Sequence, residues 1–316
     1  MAQTQSSAAP FRSGFVTLIG RPNSGKSTLL NAILGEELSP VTPLPQTTRR
    51  RIKGIFTNRS MQIIFIDTPG IHRGRHQLNR IMLQEAKEAS GGGKQGVDCL
   101  CYMVDLSREF GEEESLAAAI AQNAGVPVLV VFNKSDLCKA PELHQQRFFS
   151  LFPQLAGTPS VFISAVHTEA KRRFLAALEP FIKPGERYFD TDILTDAPMR
   201  FFAAEFLRKQ IILATRDEVP HAVFVEIESY RELPECHDIS AVIHVETMGQ
   251  KGIIIGKKGA LITRIRAAAE KEFSRLAGCP VKISCHITVT PHWRDDNRFL
   301  NSTPFSPQAF CQPNQS

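Results

Sequence analysis

The stretch "GRPNSGKS" at residues 20–27 follows the apolar run "GFVTLIG" at 14–20 and opens a helical pattern. It matches GxxxxGK[ST] at every fixed position, with the preceding strand and the following helix that a phosphate-binding loop needs. Glycines let backbone N–H groups wrap a phosphate, and the helix N-terminus adds a positive dipole. Lys26 is expected to reach the outer phosphates, and the Ser27 hydroxyl is expected to bind Mg²⁺. The stretch therefore predicts a P-loop NTPase domain.

Up to about residue 183, apolar strand-like runs alternate with helical patterns. The predicted strands are 14–20, 51–57, 61–67, 97–105, 126–133 and 160–165, and the predicted helices are 26–35, 77–89, 111–125, 141–151 and 169–182. Continuous Val/Ile/Leu/Phe strands between helices predict an α/β fold with a mostly parallel sheet covered on both faces. The runs 51–57 and 61–67, joined by "NRS", predict one antiparallel hairpin at the sheet edge.

A second motif, Asp67-Thr68-Pro69-Gly70, ends the third strand. A carboxylate there can hold Mg²⁺ through water, and Gly70 can present its N–H to a γ-phosphate. The Pro-rich loop 37–54 resembles a mobile switch, in which Thr47 or Thr48 closes on Mg²⁺, and Thr48 is favoured. The three arginines 49–51 are interpreted as a solvated basic loop, with an RNA or effector contact as the alternative.

Asn133-Lys134-Ser135-Asp136 ends a later strand. The Asp136 carboxylate can accept hydrogen bonds from guanine N1–H and the 2-amino group, which adenine cannot supply, so the motif selects GTP over ATP. Lys134 is expected along the base face, and Asn133 is expected to tie this loop to the phosphate loop. Ser164-Ala165, after the last strand, suits a backbone contact to guanine O6.

The predicted GTP site therefore comprises four segments in register. They are Gly20, Arg21, Pro22, Asn23, Ser24, Gly25, Lys26 and Ser27; Asp67, Thr68, Pro69, Gly70 and Ile71; Asn133, Lys134, Ser135 and Asp136; and Ser164 and Ala165. Ile71 stands where a GTPase that orients water with its own side chain carries Gln, and isoleucine cannot hydrogen-bond water. Slow intrinsic turnover is expected. His72 and His76 lie in a predicted loop, so a metal site there is disfavoured.

Bulk properties favour a cytoplasmic protein. Hydrophobic residues make up 42% of the 316 residues, and no apolar run approaches the ~20 residues that span a bilayer. The N-terminal stretch has no apolar core of a secretory signal. The seven cysteines are odd in number and contain no CxxC pair, which favours reduced thiols, and Cys99 and Cys101 are expected to be buried.

A polar, Pro- and Gly-bearing stretch interrupts the alternation at 183–197. The remainder predicts a small α+β module: a helix at 198–214, strands at 221–229 and 240–247, a short helix, the loop "GKKG", a helix at 260–277 and a strand at 280–289. The predicted organisation is a disordered tail at 1–13, a GTPase domain at 14–183, a linker at 184–197, the second domain at 198–300 and a disordered tail at 301–316.

Gly256-Lys257-Lys258-Gly259 joins a short apolar helix to a basic helix. A GxxG between two helices is the clamp of a KH module, which packs against about four single-stranded nucleotides. Between 251 and 275 there are seven Lys or Arg against two Glu, which favours an anionic partner. The alternative is a helix–turn–helix hinge with solvated lysines. The predicted RNA-binding residues are Lys251, Ile255, Gly256, Lys257, Lys258, Gly259 and Arg264. The element order resembles the type II KH arrangement.

The local sequences "GRPNSGKSTLLNAILG", "PQTTRRRIKGI", "DTPGIH", "NKSD" and "ITVTPHWRDDNRFL" resemble the Era family, bacterial GTPases of small ribosomal subunit assembly. The resemblance covers about residues 14–300. It implies that the second domain binds the 3′ end of 16S rRNA on the immature 30S subunit under control of GTP. It also implies a monomer, a peripheral pool on the inner face of the cell membrane, and a K⁺ ion that Asn23 helps bind. The catalytic residues that it implies are Asn23, Lys26, Thr48 and Gly70.

Departures from the family pattern are the Gly-rich 89–98 stretch, Ser135 and the 301–316 tail. Two other function classes stay open. One is an RNA-binding assembly factor that uses GTP only as a structural ligand. The other is a membrane-linked GTPase signalling switch whose KH domain binds protein.

Overall fold

The computed structural model describes residues 10–42, 44, 48–90 and 96–303. Residues 1–9 and 304–316 of the predicted tails, Thr47 and residues 91–95 of the Gly-rich stretch lie outside the described residues. Contacts divide the chain into two compact units that are not continuous in sequence. The first unit contains 1–35, 51–71 and 85–196, and the second contains 36–50, 72–84 and 197–316.

The first unit is built on a six-stranded sheet in the order β2-β3-β1-β4-β5-β6. Its strands are β1 (Arg12–Ile19), β2 (Ile52–Thr57), β3 (Met61–Asp67), β4 (Cys99–Asp105), β5 (Val128–Asn133) and β6 (Ser160–Phe162). Five of the strands run parallel, and β2 pairs antiparallel with β3 at the edge. The predicted mostly parallel sheet and its hairpin are confirmed.

Helices cover this sheet on both sides. In chain order, the α-helices up to residue 178 are α1 (Lys26–Leu34), α2 (Gln77–Ser90), α3 (Glu112–Gln122), α4 (Pro141–Leu151) and α5 (Glu169–Leu178). Cys101 and Met103 of β4 share a buried cluster with residues of α1 and α5. Tyr102, between them, faces the opposite side because successive strand residues alternate. Its hydroxyl donates to the Glu114 carboxylate of α3 at 2.6 Å.

The second unit contains a three-stranded sheet in the order β7-β8-β9. Its elements are α6 (Met199–Ala214), α7 (Val219–Ala222), β7 (Phe224–Glu232), β8 (His237–Val245), α8 (Met248–Ile255), α9 (Ala260–Ala277), β9 (Val281–Val289) and α10 (Asn297–Ser302). Strand β8 pairs antiparallel with β7 and parallel with β9. Phe206 of α6 and Phe273 of α9 are fully buried, with ring centroids 5.9 Å apart. The predicted α+β module is confirmed.

Two stretches from the first half of the chain pack within the second unit. The Arg49 guanidinium donates to the carbonyls of Val223 at 2.6 Å and His221 at 3.2 Å. Leu78 and Met82 of α2 are buried against Trp293. Because of these contacts, residues 36–50 and 72–84 belong to the second unit, whereas the sequence predicts them within the continuous domain 14–183.

The predicted linker is held against the first unit. Gln62 of β3 is fully buried, and its Oε1 accepts from the N–H groups of Tyr188 at 2.7 Å and Phe189 at 3.0 Å. Its Nε2 donates to the Phe189 carbonyl at 2.8 Å. One buried amide thus satisfies three backbone groups of Tyr188 and Phe189, which fixes this part of the segment against the sheet.

Both chain ends differ slightly from the predicted tails. Residues 12 and 13 belong to β1, since Arg12 pairs with Met61 in the sheet and with Pro184 in an isolated bridge. At the other end, helix α10 continues to Ser302 under an Asp296 cap, whose carboxylate accepts from Arg298 N–H and Phe299 N–H. Within the described ranges, no helix has the length and apolar character needed to cross a membrane.

Gln62→Leu tests the attachment of residues 184–196. Leucine leaves backbone groups of Tyr188 and Phe189 without their partners, at a cost of about 1–3 kcal/mol of unfolding free energy. We expect lower stability in urea and faster proteolytic cleavage within 184–196. The control is Gln145→Leu, which removes an exposed amide bonded to Ser160. Equal cleavage rates in the two variants would contradict the role of Gln62.

Candidate functional site

The phosphate loop turns tightly between β1 and α1. Gly20 has φ +152°, and a Cβ there would lie 2.4 Å from the Met103 carbonyl oxygen. Gly25 has φ +99°, and its Cβ would lie 2.1 Å from Asn133 Nδ2. Neither position accepts a side chain without displacing its neighbour. Asn23, with φ +61°, also adopts the left-handed region.

Lys26 is buried at the first position of α1, and its ammonium lies over the loop. Nζ donates to the carbonyls of Gly20 and Arg21, each at 3.1 Å. Burial lowers the pKa of Lys26 to about 8, although the nearby carboxylates of Asp67 and Glu114 oppose the shift. The phosphate loop therefore contains a buried ammonium group whose charged form an anion bound in the loop would stabilise.

Ser27 and Asp67 bring two oxygen ligands together. The Ser27 hydroxyl donates to Asp67 Oδ2 at 2.7 Å, and Asp67 is fully buried at the end of β3. Next in the chain, the Thr68 hydroxyl donates to the Leu18 carbonyl at 2.7 Å, which fixes the start of the following segment. A hydroxyl beside a buried carboxylate is the oxygen donor set that Mg²⁺ prefers.

Asn133 joins three loops. Its Nδ2 donates to the Ser24 carbonyl at 2.8 Å, which is the tie predicted from the sequence. Its Oδ1 accepts from Ala165 N–H at 2.9 Å. Ser164 is also buried, and Ser135 N–H donates to the Ile163 carbonyl at 3.1 Å. The phosphate loop, the loop after β5 and the loop after β6 are thereby fixed together.

Asp136 lies in a short 3-10 turn, Ser135–Leu137, directly after the left-handed Lys134. One of its carboxylate oxygens is 4.0 Å from His167 Nε2. The carboxylate stays partly exposed, at 29%. An accessible acceptor in this turn can meet the hydrogen-bond edge of a base.

A buried charge network that the sequence analysis missed connects the base loop with the phosphate loop. Lys134 Nζ is 2.8 Å from Asp105 Oδ2, and Arg21 donates to the Asp105 carbonyl at 2.9 Å. Arg21 Nε also lies 3.2 Å from Glu114. The side chain of Arg21 therefore stabilises the loop from behind, and only its backbone belongs to the phosphate cradle.

The pKa values in this network shift in opposite directions. Burial disfavours the Asp105 carboxylate, but hydrogen bonds from Lys134 and Ser107 outweigh burial and lower its pKa. Burial raises the pKa of Glu114 despite Tyr102 and Arg21. A sequence signal for Asp105 existed: it ends β4 in register with Asn133, which ends β5. Carboxyl ends of adjacent parallel strands meet at one edge, where ligands bind.

The segment after β3 approaches the phosphate loop closely. A Cβ on Gly70 would lie 2.7 Å from Pro22 Cα, so only glycine fits. The preceding residue, Pro69, lies outside regular secondary structure. Ile71 N–H donates to the Gly20 carbonyl at 3.0 Å, and the Ile71 side chain is fully buried. A buried hydrocarbon at this position has no means of orienting a water molecule.

Thr48 belongs to the second unit, where its hydroxyl lies 3.5 Å from the Ser39 hydroxyl. Its ligation of Mg²⁺ stays a prediction. Among the residues that the structure describes, no cluster of His, Cys, Asp or Glu is arranged to hold a metal ion. Cys99 and Cys101 are free and buried, as predicted.

The "GKKG" loop lies between α8 and α9. Gly256, Lys258 and Gly259 all have positive φ, and a Cβ on Gly256 would lie 2.6 Å from Leu261 Cβ. Lys257 and Lys258 are exposed. Thr247 and Gln250 form a capping box that fixes the start of α8.

Side chains around this loop combine charge with apolar surface. Arg264 on α9 is exposed, whereas Lys251 and Ile255 on α8 are partly exposed. Met248 and Ile253 on α8 are 70% and 48% exposed. Cations beside exposed apolar groups suit a single-stranded nucleic acid, whose bases can leave the stack.

A phosphate loop in which a serine hydroxyl meets a buried carboxylate, together with an NKxD loop and a GxxG module later in the chain, is typical of a P-loop GTPase with a KH domain. Residues 15–134 match the family of 50S ribosome-binding GTPases, and residues 218–294 match the KH domain family. GTPase Era of Synechocystis sp. is 39% identical over 295 residues, which cover 92% of each chain. The chain belongs to the Era family of GTPases.

Two solved structures share the fold at 30% identity and a TM-score of 0.86. An Aquifex aeolicus Era variant bound to GDP·AlF₄⁻ matches over 94% of this chain and 100% of that chain. Era in complex with MgGDPNP and nucleotides 1506–1542 of 16S ribosomal RNA matches over 94% and 99%. The likeness therefore extends over both units of the chain.

The lowered pKa of Lys26 predicts proton uptake on nucleotide binding. Bound phosphates favour the charged ammonium form of Lys26. Near pH 8, nucleotide binding must therefore protonate Lys26 in those protein molecules where it is neutral before binding. GDP affinity should be constant below pH 8 and fall by up to about tenfold per pH unit above it. Calorimetric titrations at pH 8 in buffers of different ionisation enthalpy measure the uptake. A heat independent of buffer would contradict the shift.

Proposed function

We propose that this protein hydrolyses GTP at the first unit and binds the 3′ end of 16S rRNA through its KH domain during small-subunit assembly. The observation that carries the proposal is the Asn133 tie, which fixes the phosphate, base and Ala165 loops in one site. The Era complex with MgGDPNP and 16S rRNA nucleotides supports the pairing of the two ligands in a relative of this chain.

Ser27 and Asp67 would hold Mg²⁺, with Asp67 acting through water and Thr48 joining when the γ-phosphate is present. Their contact at 2.7 Å supports this donor set. Bound there, the ion neutralises phosphate charge. Asn23, in the phosphate loop, would help bind K⁺.

The residues of the chain position the substrate and stabilise charge. Lys26 binds the outer phosphates, Gly70 offers its N–H to the γ-phosphate, and Asp136 reads guanine. Ile71 supplies no hydrogen bond to the attacking water, so intrinsic hydrolysis is slow, and K⁺ and RNA stimulate it. Phosphoryl transfer depends on such positioning and electrostatic stabilisation.

In the KH domain, Lys257 and Lys258 contact the RNA backbone, and Gly256 and Gly259 allow its close approach. Ile255 lies beside the loop, and Lys251 and Arg264 add positive charge. We place the protein in the cytoplasm as a monomer, with a peripheral pool at the cell membrane, and link ribosome maturation to cell growth or the cell cycle.

A second candidate is a membrane-associated GTPase switch whose KH domain contacts protein. The exposed Met248 and Ile253 side chains favour it, since apolar surface also suits a protein partner.

Crosslinking in cells followed by sequencing of the bound RNA separates the two candidates. Enrichment of the 16S 3′ end supports the first, and its absence contradicts it. Absence of GTP hydrolysis with K⁺ and RNA present would contradict the enzymatic function.

Asp136→Asn tests base recognition. The amide keeps an acceptor for N1–H and presents a donor to the C2 carbonyl of xanthine, so preference should move from guanine to xanthine nucleotides. Mispairing with guanine should cost several kcal/mol, or at least about a hundredfold in GTP affinity. Fluorescence titration with GDP and XDP measures both affinities. Unchanged GDP affinity would refute the assignment.

Lys257→Ala combined with Lys258→Ala tests the RNA clamp. Loss of two phosphate contacts should weaken RNA binding and reduce the slope of log K against log salt by about 1.4, at roughly 0.7 per contact for single strands. Filter binding of the 16S fragment 1506–1542 over a salt series measures the slope. The control is Lys282→Ala, an exposed lysine on β9. A slope equal to that of the control would contradict the clamp.

A further inference from the structure

Asp105, at the carboxyl end of β4, is a fully buried residue outside the four segments predicted to form the GTP site. Its Oδ1 accepts from the N–H of Ser107 at 2.9 Å and from the Ser107 hydroxyl at 2.6 Å. Its Oδ2 lies 2.8 Å from Lys134 Nζ. Although burial disfavours the charged form, the hydrogen bonds from Lys134 and Ser107 lower the pKa of Asp105. Lys134 is therefore paired with a carboxylate that stays ionised near neutral pH.

The backbone around Asp105 is also fixed. Asp105 is in register with Asn133, the last residue of β5. The N–H of Leu106 donates to the Asn133 carbonyl at 3.0 Å, and Arg21 Nη2 donates to the Asp105 carbonyl at 2.9 Å. Arg21 is itself buried. The carboxylate therefore meets Lys134 from a fixed position at the carboxyl edge of the sheet.

Lys134 has a backbone conformation that residues with a side chain rarely adopt. Its φ of +61° and ψ of +35° lie in the left-handed region. Such a conformation is unfavourable for a residue with a Cβ and persists where surrounding contacts hold it. The Lys134 side chain is 28% exposed, whereas the Asp105 side chain is fully buried. The ion pair thus directs the lysine inward and is a contact that holds this conformation in place.

The left-handed residue begins the turn that contains Asp136. The Lys134 carbonyl accepts from Leu137 N–H at 3.0 Å, which closes the 3-10 turn that starts at Ser135. Asp136 is the middle residue of this turn, so the direction of the Lys134 backbone sets the position of its carboxylate. Direct contacts therefore connect Asp105 with Asp136 through Lys134 alone.

We propose that Asp105 is a specificity-determining positioning residue, which holds Lys134 in its left-handed conformation and thereby places the Asp136 carboxylate for the N1–H and 2-amino groups of guanine. The inference rests on the proposed GTP site, and in particular on recognition of guanine by Asp136. A carboxylate discriminates between bases only when its oxygens lie within hydrogen-bond distance of both donors. Displacement of the turn therefore reduces discrimination between bases more than it reduces binding of the phosphates.

The test compares GDP with IDP, whose hypoxanthine base keeps N1–H but lacks the 2-amino group. Calorimetric titration of the full-length chain with each nucleotide gives two dissociation constants, and their ratio measures the contribution of the 2-amino contact. In Asp105→Asn the amide oxygen stays available to Ser107, but the amide nitrogen meets Lys134 as a second donor, so the ion pair is lost. The matched control is Asp196→Asn, which breaks the Lys53–Asp196 pair at 2.6 Å in the same unit.

The decisive quantity is the dissociation constant for IDP divided by that for GDP. A ratio of about tenfold or more is expected for the wild type and for Asp196→Asn, because hydrogen bonds to a charged acceptor are strong. In Asp105→Asn the ratio should fall below about threefold, since a misplaced acceptor loses most of that bond. General loss of structure weakens binding of both nucleotides and leaves their ratio unchanged. A wild-type ratio in Asp105→Asn would overturn the inference and leave the proposed function standing.

Lys134→Met determines whether Asp105 acts through Lys134. Methionine keeps an unbranched stem and lacks the ammonium, so the ion pair is lost while Asp105 is unchanged. The ratio should fall equally in Lys134→Met, in Asp105→Asn and in the double variant, because residues that act as one unit are not additive. A further fall of the same size in the double variant would overturn the route through Lys134.

Lys134→Met also carries the test by itself if Asp105→Asn fails to fold. An unchanged ratio in Lys134→Met would then overturn the inference, because the ion pair is absent from that variant too. A wild-type chain that binds IDP as tightly as GDP would instead overturn the proposed recognition of guanine by Asp136.

Discussion

The two hydrogen bonds of the Asn133 side chain set the geometry on which the nucleotide site depends. They connect the phosphate loop at Ser24 with the backbone of Ala165. Gly25 has no Cβ, and Asn133 occupies the space where one would be. Because the loops after β1, β5 and β6 all lie at the carboxyl edge of the parallel sheet, a single amide can reach both. One amide therefore holds together the loops that follow three strands of the first unit.

Sequence spacing predicted both units well where the structure depends on local patterns. The phosphate loop, the hairpin and the helices 141–151 and 260–277 depend on short patterns, and the structure agrees with them. Asp105 and Glu114 escaped prediction because their importance comes from contacts with Arg21 and Lys134 in other elements. No motif spacing records a contact between strands and helices that are distant in sequence.

The division of the chain was hard to predict for a related reason. Residues 36–50 and 72–84 carry patterns typical of the nucleotide domain, and only tertiary contacts assign them to the second unit. Arg49 was interpreted as part of a solvated basic loop, but it is buried against the backbone carbonyls of Pro220, His221 and Val223. Burial of an arginine requires a matching set of acceptors, and these acceptors lie more than 170 residues away.

Residues 294 and 295 cap helix α2, since the Arg294 carbonyl accepts from Leu78 N–H at 3.0 Å and Asp295 Oδ1 accepts from Gln77 N–H at 2.9 Å. This capping has a consequence for biosynthesis. A ribosome adds about 5–20 residues per second, so the 218 residues between Gln77 and Asp295 take about 10 to 40 s to make. During that interval the first turn of α2 has neither its carboxylate acceptor nor the Trp293 ring beside it. The acceptor that caps the first turn of α2 is therefore made long after the helix itself, and this turn acquires its structure only after residue 295 has been synthesised.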